Sequence, residues 1–329
     1  MTKQMLMPEL AVRLKDEFIP VDKILEEISA GLRQPQAHTS PKYLYDALGS
    51  KLFEAICELP EYYPTRTEAG IFEAYQDDIA CSVGYGSTLI DLGAGNCAKA
   101  ARLFPALRPE QYVAIDISAD FLQIAVAQLQ QRYPEVAMMG LCLDFSESLA
   151  LSQQVRRERR LFFYPGSSIG NYTPSQALQF LRRIHNECQT SSQADSGLLI
   201  GVDLIKNENV MNAAYNDALG VTASFNLNLL LHLNRLIGAD FDLRQWQHCG
   251  FFNSTQNRIE MHLVARQALT ATWHGGAREF AQGESIHTEN SYKYTQQAFL
   301  SLLAEAGFQK SKVWVDPNQW FMLCHAHAA

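Results

Sequence analysis

The chain contains 329 residues, 47% of them hydrophobic, and carries a formal net charge of −8. That composition is typical of a folded globular protein, and the acidic balance argues against general binding to nucleic acid or to an anionic membrane surface. No apolar run approaches the ~20 residues that a membrane-spanning helix needs. The seven cysteines form no CxxC pair and the nine histidines form no HExxH motif, so we expect reduced thiols in a cytoplasmic protein and no metal site.

The N-terminal part of the chain predicts amphipathic helices followed by a turn rich in polar side chains. Apolar residues recur at helical spacing over residues 20–32 and 43–58. The turn at 59–68 reads LPEYYPTRTE and contains Tyr62 between two prolines. A further helix is expected over residues 68–79.

The segment 88–96, TLIDLGAGN, predicts the first strand and the nucleotide-binding loop of a doubly wound domain. A short aliphatic run followed by Gly93 and Gly95 is typical of a buried parallel strand whose carboxyl end approaches a ligand. The spacing of these glycines with Ala98 also fits the dinucleotide fingerprint of NAD enzymes. The loop by itself therefore leaves open whether the ligand is NAD(P) or S-adenosylmethionine (SAM), or whether it is only a tight turn that binds nothing.

Strands and helices alternate after this segment as far as about residue 205. The predicted strands of this part lie at 88–92, 112–115, 136–143, 161–164 and 197–204. Such alternation indicates parallel strands with right-handed crossovers. Residues 206–285 read as an insertion with helices at 209–218 and 226–237 and strands at 258–265 and 269–273, before a closing helix at 296–306 and a hairpin of strands at 312–315 and 320–325.

This layout predicts an α/β fold, the doubly wound seven-stranded sheet of SAM methyltransferases, with an antiparallel last hairpin. Residues 67–205 and 292–329 would form the SAM-binding domain. Residues 10–66 and 206–291 would form a second, α+β substrate-binding domain from the N-terminal helices and the insertion after the fifth strand.

Four further positions bear on the choice of cofactor, and three of them favour SAM. Asp116 ends the second strand about twenty residues after the glycines, where a carboxylate can bind the ribose hydroxyls of either nucleotide. Asp144 can accept a hydrogen bond from an adenine amino group, and Phe145 can lie against the ring. Lys99 falls one turn into the first helix, too late for a pyrophosphate but close enough for the methionine carboxylate of SAM.

Several longer motifs resemble the histidine-specific N-alpha-methyltransferases of ergothioneine biosynthesis. They are spread over both predicted domains and read LPEYYPTRTE (59–68), GSSIGN (166–171), AYNDALGVTASFN (214–226), ADFD (239–242), RIEM (258–261) and GESIHTENS (283–291). The likeness extends from about residue 41 to residue 315. It implies an enzyme that uses SAM, releases S-adenosylhomocysteine and trimethylates the α-amine of L-histidine to hercynine, the first step of ergothioneine biosynthesis.

The resemblance also implies roles for individual residues. SAM would contact Gly93, Lys99, Asp116, Asp144 and Phe145, with Tyr45 nearby. The histidine carboxylate would be held by Tyr62, Asn171 and Tyr215, beside Gly166 and Ser168 of the GSSIGN motif, and the imidazole by Glu289, Asn290, Ser291 and Met261. Neutral tyrosine and asparagine donors would fix the carboxylate without a cation. We expect the neutral amine to attack the methyl group, and its proton to pass to the Tyr45 hydroxyl through water or directly to solvent.

Other interpretations stay open at this point. The nearest is a methyltransferase of another aromatic amino acid, such as a tryptophan derivative. An NAD(P)-dependent oxidoreductase would bind NADH and ignore SAM, and a non-catalytic protein on this fold would turn nothing over. For the histidine methyltransferase we expect a monomer whose partner is the small-molecule substrate L-histidine, without nucleic acid or membrane.

Overall fold

The computed structural model of the protein describes residues 12–13, 21–117, 119–146, 148–149, 151–190 and 195–328. The strands are β1 (Val12–Arg13), β2 (Ala37–His38), β3 (Thr88–Leu92), β4 (Gln111–Asp116), β5 (Ala137–Cys142), β6 (Arg160–Tyr164), β7 (Gly197–Asp203), β8 (Trp246–Asn253), β9 (Arg258–Ala265), β10 (Leu269–Trp273), β11 (Gly276–Phe280), β12 (Ser285–Tyr292), β13 (Lys310–Val315) and β14 (Phe321–His327). The helices are α1 (Val21–Leu32), α2 (Ala47–Cys57), α3 (Tyr63–Val83), α4 (Ala98–Ala101), α5 (Phe104–Leu107), α6 (Ala119–Arg132), α7 (Pro174–Gln189), α8 (Glu208–Tyr215), α9 (Val221–Ile237) and α10 (Gln296–Ala306). None of the helices in these ranges is long and apolar enough to cross a membrane.

The main sheet has the strand order β1-β5-β4-β3-β6-β7-β14-β13. Strands β3 to β7 pair in parallel, whereas β14 runs antiparallel to both β7 and β13. The predicted doubly wound sheet with its antiparallel last hairpin is thereby confirmed, and β1 adds a two-residue parallel pairing at the edge of β5. Because β4 lies on one side of β3 and β6 on the other, the strand order reverses there, and a crevice opens at the carboxyl end of β3.

A second sheet, with the order β2-β12-β9-β8, is built from residues outside the main sheet. Strand β9 is antiparallel to both β12 and β8, while β10 and β11 form a separate hairpin. The sequence predicted β9 and β10 but not β8, β11 and β12. The sequence of β12, SIHTENSY, explains its omission, because polar side chains hide the alternation by which a strand is recognised, although several of them are buried.

Several helical segments, α8 and α9 among them, differ from their predicted bounds, and two of the differences position residues of the site. The segment 43–58 is not one helix but a 3-10 turn, Pro41–Leu44, followed by α2, so that Tyr45 lies in the break between them. Helix α3 begins at Tyr63, five residues earlier than predicted. Pro64 explains this start, because a first helical turn has no intrahelical partner for its backbone N–H groups and tolerates proline.

Buried hydrophobic side chains of the described residues pack in three clusters. Alternate residues of β3 point to opposite faces of the main sheet, so that Leu89 and Ile90 belong to different clusters. The third cluster joins α1, α2 and α9 to the second sheet and includes Phe225 and Met261. It draws on both segments that were assigned to a substrate-binding domain, but the predicted boundary at residues 66 and 67 falls inside α3, and the division into domains stays a prediction.

Candidate active site

The glycine loop after β3 leaves space where side chains would otherwise stand. Gly93 has φ = +74° and Gly95 has φ = +51°, in the left-handed region that favours glycine. A Cβ atom on Gly93 would lie 3.7 Å from the Phe145 ring, and one on Gly95 would meet no described atom within 4 Å. Asp116 holds the loop, because its Oδ2 accepts a hydrogen bond from Gly95 N–H at 2.9 Å. Bare backbone beside an aromatic ring fits the flat adenosine part of a nucleotide cofactor.

A buried carboxylate connects this loop with the turn after β6. Glu68 Oε2 accepts a hydrogen bond from Lys99 Nζ at 2.8 Å, and Glu68 Oε1 accepts one from Gly166 N–H at 2.7 Å. The Glu68 side chain is 2% exposed, whereas that of Lys99 is 41% exposed. Glu68 therefore holds an ammonium group at the crevice and leaves it accessible, which suits an anionic ligand group. Sequence reasoning placed Glu68 in the polar turn but missed this bridge.

Asp144 and Phe145 follow β5 and complete the predicted cofactor set. Asp144 Oδ1 accepts hydrogen bonds from Ser146 N–H at 2.9 Å and from the Ser146 hydroxyl. The Phe145 ring packs against Tyr164 and Phe180, with ring centroids 5.9 and 6.0 Å apart. Because Phe145 also faces the glycine loop, the residues predicted after β3 and β5 converge at one end of the sheet.

A cavity next to the turn after β6 collects most of the predicted substrate residues. It is lined by Tyr45, Tyr62, Gly166, Ser168, Asn171, Tyr215, Met261, Glu289 and Ser291, together with Phe53, Ile56, Pro64, Ser167, Asp203, Ala214, Thr222, Phe225 and Lys293. Gly166 belongs to both regions, since a Cβ atom on it would lie 3.0 Å from Lys99 Nζ. The cavity thus adjoins the cofactor loop, as a reaction between two bound molecules requires.

Asn290 is the predicted substrate residue that the cavity lining leaves out. It stands between Glu289 and Ser291 in β12, and successive side chains of a strand point to opposite faces. Its Oδ1 is buried without a hydrogen-bond partner among the described residues. The structure therefore separates Asn290 from the two neighbours with which it was predicted to act.

Aromatic side chains surround Tyr45 and Tyr62 in the predicted substrate site. The Tyr45 ring lies 5.4 Å from Phe225 and 5.5 Å from Phe53 between centroids, and the Tyr62 ring lies 6.2 Å from Tyr215. Burial raises the pKa of Tyr45 and of Tyr62 well above the usual value of a tyrosine. Both side chains are therefore neutral hydroxyls at physiological pH, which can donate a hydrogen bond but do not ionise.

A buried ion pair, which the sequence did not predict, lies in the cavity wall. Lys293 Nζ donates hydrogen bonds to Asp203 Oδ2 at 2.7 Å, Ser291 Oγ at 2.8 Å and Tyr215 Oη at 3.2 Å. The side chains of Lys293 and Asp203 are each 1% exposed. Burial opposes both charges, yet Lys293 and Lys206 hold the pKa of Asp203 below its usual value, and Asp203 raises the pKa of Lys293. The cavity wall thus contains a buried cation beside the neutral donors that were predicted to hold the carboxylate.

The two-residue spacing at the end of β12, which Lys293 continues one residue beyond Tyr292, contained the signal for this lysine. Residues 289, 291 and 293 are two positions apart, and a strand places such residues on one face. Asp203 ends β7, and ligands bind outside the carboxyl ends of the strands in sheets of this kind. Asp203 and Lys293 could each be noticed in the sequence, but only the fold brings the Lys293 ammonium group to 2.7 Å from the Asp203 carboxylate.

Glu289 points into the cavity from a β-bulge. The pairing of β12 with β9 shifts between His287 and Glu289, which places Glu289 opposite Met261. The Thr288 hydroxyl anchors the bulge, at 2.7 Å from Asn226 Oδ1 and 3.0 Å from the carbonyl oxygen of Met261. The Glu289 carboxyl has no hydrogen-bond partner among the described residues, and burial raises its pKa to about 7. A polar ring with an N–H group would satisfy this buried acceptor.

Comparison with known proteins identifies the family. The family model described as histidine-specific methyltransferase, SAM-dependent, matches residues 24–328. The chain belongs to this family. The match confirms the resemblance found in the motifs and decides for SAM where the glycine loop alone left NAD(P) open.

Related proteins of known name are similar over most of their length. A histidine N-alpha-methyltransferase of Mycolicibacterium smegmatis is 39% identical over 302 residues, which cover 90% of this chain and 92% of the relative. One of Mycobacterium tuberculosis is 38% identical over 296 residues, with 88% and 90% covered. A 4-dimethylallyltryptophan N-methyltransferase of Epichloe festucae var. lolii is 27% identical over 323 residues, with 90% and 92% covered.

A second cluster of polar side chains lies outside the cavity, on the second sheet. It consists of Glu260, His262 and His287, whose potential metal-ligand atoms lie within 4.8 Å of one another. Glu260 already pairs with Arg258 and with His262 Nε2, the latter at 3.0 Å. The rings of His262 and His287 are stacked, with centroids 4.5 Å apart and planes 14° apart, so their in-plane lone pairs do not converge on one point. The expectation that the protein uses no metal stays a prediction.

Proposed function

We propose that this protein transfers methyl groups from SAM to the α-amine of L-histidine until the nitrogen carries three, which gives hercynine, the first intermediate of ergothioneine biosynthesis. The observation that carries the proposal is the buried, unpartnered carboxyl of Glu289 in a cavity that adjoins the cofactor loop. Relatives with the name histidine N-alpha-methyltransferase, 38–39% identical over about nine-tenths of the chain, support the same substrate.

The groups around the glycine loop fit SAM. Its adenosine part would contact Asp116, Asp144 and Phe145 beside the bare backbone of Gly93, and its carboxylate would pair with the half-exposed ammonium group of Lys99. Bound SAM supplies an electrophilic methyl group on a sulfonium and leaves as S-adenosylhomocysteine. Lys99, Asp116, Asp144 and Phe145 would hold and orient this molecule.

Hydroxyl and amide donors at one side of the cavity would hold the amino acid by its carboxylate. We assign this part to Tyr62, Asn171 and Tyr215, which line the cavity together with Gly166 and Ser168. Neutral donors fix a carboxylate by hydrogen bonds, and the ammonium group of Lys293 behind Tyr215 places a positive charge close by.

The imidazole ring would lie against Met261 and hydrogen-bond to Glu289 and Ser291. Met261 and Glu289 face each other across β9 and β12, so one ring can contact both. Asn290 points away from the cavity, and we therefore assign the ring to its two neighbours.

The reaction needs a neutral amine close to the methyl group, and little covalent help from the protein. Alignment at near-attack distance supplies on the order of 7–11 kcal/mol of such a barrier. The amine proton would pass through water past the Tyr45 hydroxyl or directly to solvent. Because Tyr45 does not ionise, it would relay a proton and not retain it.

Mass spectrometry of the purified protein with SAM and L-histidine tests the proposal. Trimethylated histidine is expected as the main product, with mono- and dimethylated forms only at early times. A tryptophan derivative and tyrosine are the parallel substrates, because one relative at 27% identity is a 4-dimethylallyltryptophan N-methyltransferase. Methylation of a tryptophan derivative without methylation of histidine would contradict the substrate and leave the cofactor assignment intact. Light scattering of the same sample checks the proposed monomer.

A further inference from the structure

The hydrogen bonds around Ser291 decide what this side chain can offer to a ligand. Lys293 Nζ lies 2.8 Å from Ser291 Oγ, and an ammonium group can only donate. Tyr215 Oη donates to the same Oγ at 3.0 Å. A serine oxygen has two acceptor lone pairs and one proton. With both lone pairs engaged, Ser291 has only its own proton left for a ligand.

The electrostatics of this corner point in the same direction. The single carboxylate of Asp203 faces two ammonium groups, those of Lys293 and Lys206. The pair therefore leaves positive charge beside Ser291, and this charge disfavours a second cation bound to the same oxygen. When Tyr215 instead donates its proton to a substrate carboxylate, one lone pair of Ser291 becomes free, but Lys293 still occupies the other, and its charge still repels a second cation at Oγ.

On the same wall of the cavity, Glu289 offers the opposite polarity. Its carboxyl is two positions before Ser291 on the same face of β12 and is an acceptor when ionised. A neutral imidazole has one N–H donor and one unprotonated nitrogen, which match Glu289 and Ser291 respectively. An imidazolium has two N–H donors and would need a second acceptor where the protein presents a donor.

We propose that Lys293 is a positioning residue that fixes Ser291 as a hydrogen-bond donor, so that the cavity selects the neutral imidazole form of histidine. This inference rests on the proposed function, because it takes the ring to lie between Glu289 and Ser291. Lys293 acts through Ser291 and does not touch the ring in this scheme.

Two neutral ring analogues of histidine test the direction of the Ser291 hydrogen bond. β-(1,2,4-Triazolyl)alanine offers an N–H and an acceptor nitrogen, whereas β-pyrrolylalanine offers an N–H alone. Dissociation constants would be measured with the full-length protein saturated with S-adenosylhomocysteine. The wild type should bind the pyrrole analogue about 5- to 100-fold more weakly, the range expected when a buried donor loses its acceptor. Equal affinities would overturn the inference.

Substitutions separate the positioning role from a structural one. Lys293→Met frees Ser291 to accept a hydrogen bond, and the ratio of the two analogues' dissociation constants should fall to about twofold. Lys293→Arg can still only donate, so its ratio should be like that of the wild type. Lys206→Met is the matched control, because Lys206 binds the same Asp203 but Ser291 is not among its hydrogen-bond partners. An equal change of the ratio in Lys206→Met and Lys293→Met would mean that only the buried charge matters, and would overturn the inference.

The pH dependence of binding can be measured with the wild-type protein, and so it tests the inference even if Lys293→Met does not fold. The titratable side chains that line the cavity are Tyr45, Tyr62, Asp203, Tyr215, Glu289 and Lys293, and they act on both ligands alike. Below the imidazole pKa of ~6.5, histidine affinity should therefore fall about tenfold per pH unit relative to triazolylalanine, which stays neutral. A rise in relative histidine affinity at low pH would overturn the selection of the neutral ring.

The outcome for the proposed function is distinguishable from the outcome for this inference. Histidine that is trimethylated normally, with no preference between the analogues, overturns the inference alone. Histidine that is neither bound nor methylated overturns the proposed function, and the inference with it.

Discussion

Glu68 and Asp203 are both buried carboxylates of the candidate active site, but they hold their lysines in different surroundings. Glu68 pairs with Lys99, whose ammonium group is 41% exposed, and spends its second oxygen on a backbone N–H. Asp203 pairs with Lys293 and Lys206, whose side chains are 1% and 3% exposed. Burial of charge is costly unless each charge is paired. The substrate side of the site, around the cavity, therefore depends on its ion pairs for folding in a way that the cofactor side, around the glycine loop, does not.

The same contrast appears in the groups that would meet the ligands. The cofactor loop is open backbone, with Asp116 and Asp144 already hydrogen-bonded to neighbouring N–H groups. The substrate cavity holds Glu289 without a partner and with a pKa raised to about 7 by burial. The comparison teaches that the backbone conformation of the glycine loop shapes the cofactor side. The substrate side instead contains a buried acceptor without a partner, which the N–H group of an imidazole ring can satisfy.

The sharpest way to break this comparison is to remove each buried carboxylate in turn. Asp203→Asn should cost about 3–5 kcal/mol of the free energy of unfolding, because it leaves Lys293 charged and buried without its counter-ion. Glu68→Gln should cost less than half of that, since water reaches Lys99. Urea denaturation at pH 7 measures both. Equal losses would mean that exposure of the lysine does not decide the cost.

The pKa of Glu289 makes the stability of the substrate side depend on pH. Its pKa is raised from 4.5 in the unfolded chain to about 7 in the folded protein, so its protonated form favours folding and that stability is lost as the pH rises from about 4.5 to 7. We expect the stability of the wild type relative to Glu289→Gln to fall by about 2 kcal/mol between pH 5 and pH 8. Thermal or urea unfolding over this range checks it, and a constant difference between the two proteins would contradict it.

Removal of the same carboxyl should weaken substrate binding. Glu289→Ala is expected to lose roughly 1.5–3 kcal/mol of histidine affinity, the scale of a charged hydrogen bond. SAM affinity should be unchanged, because Glu289 lines the substrate cavity. Calorimetry with each ligand separates the two effects. Unchanged histidine affinity would move the specificity determinant elsewhere.

Substitution of Tyr45 tests whether its hydroxyl relays the proton that the substrate amine loses. Tyr45→Phe should lower kcat on the order of tenfold, below the usual range for a general base, because a neutral hydroxyl only relays a proton that water can carry as well. The ratio of mono-, di- and trimethylated products should shift toward the earlier forms. An unchanged pH–rate profile with an unchanged product distribution would count against this role.

The smallest effect is expected on the open cofactor side. Lys99→Met should weaken SAM binding by about 1 kcal/mol, because a half-exposed ion pair is screened by water and salt. The loss should shrink further at high ionic strength, which binding measurements at two salt concentrations would show. A loss as large as that of Glu289→Ala would remove the distinction between the two sides.

The sequence by itself predicted the parts that depend on local pattern. Buried parallel strands are recognisable as aliphatic runs, and the two glycines after β3 stand where the chain needs a left-handed backbone. The doubly wound sheet and its antiparallel hairpin were predictable for this reason, as was the position of the cofactor loop. The residue roles came from the resemblance of longer motifs, and they remain proposals.

Only the tertiary structure decided what depends on burial and on contacts between distant segments. Strand β12 was missed because its polar side chains are typical of a loop until the cavity that buries them is known. Lys293 and Asp203 are ninety residues apart in the sequence, and no local pattern states that they meet at 2.7 Å. The raised pKa of Glu289 likewise follows from desolvation, a property of the folded cavity and not of the residue type. Local pattern fixes where strands and turns occur, whereas the chemistry of buried charges exists only once the fold has excluded water from them.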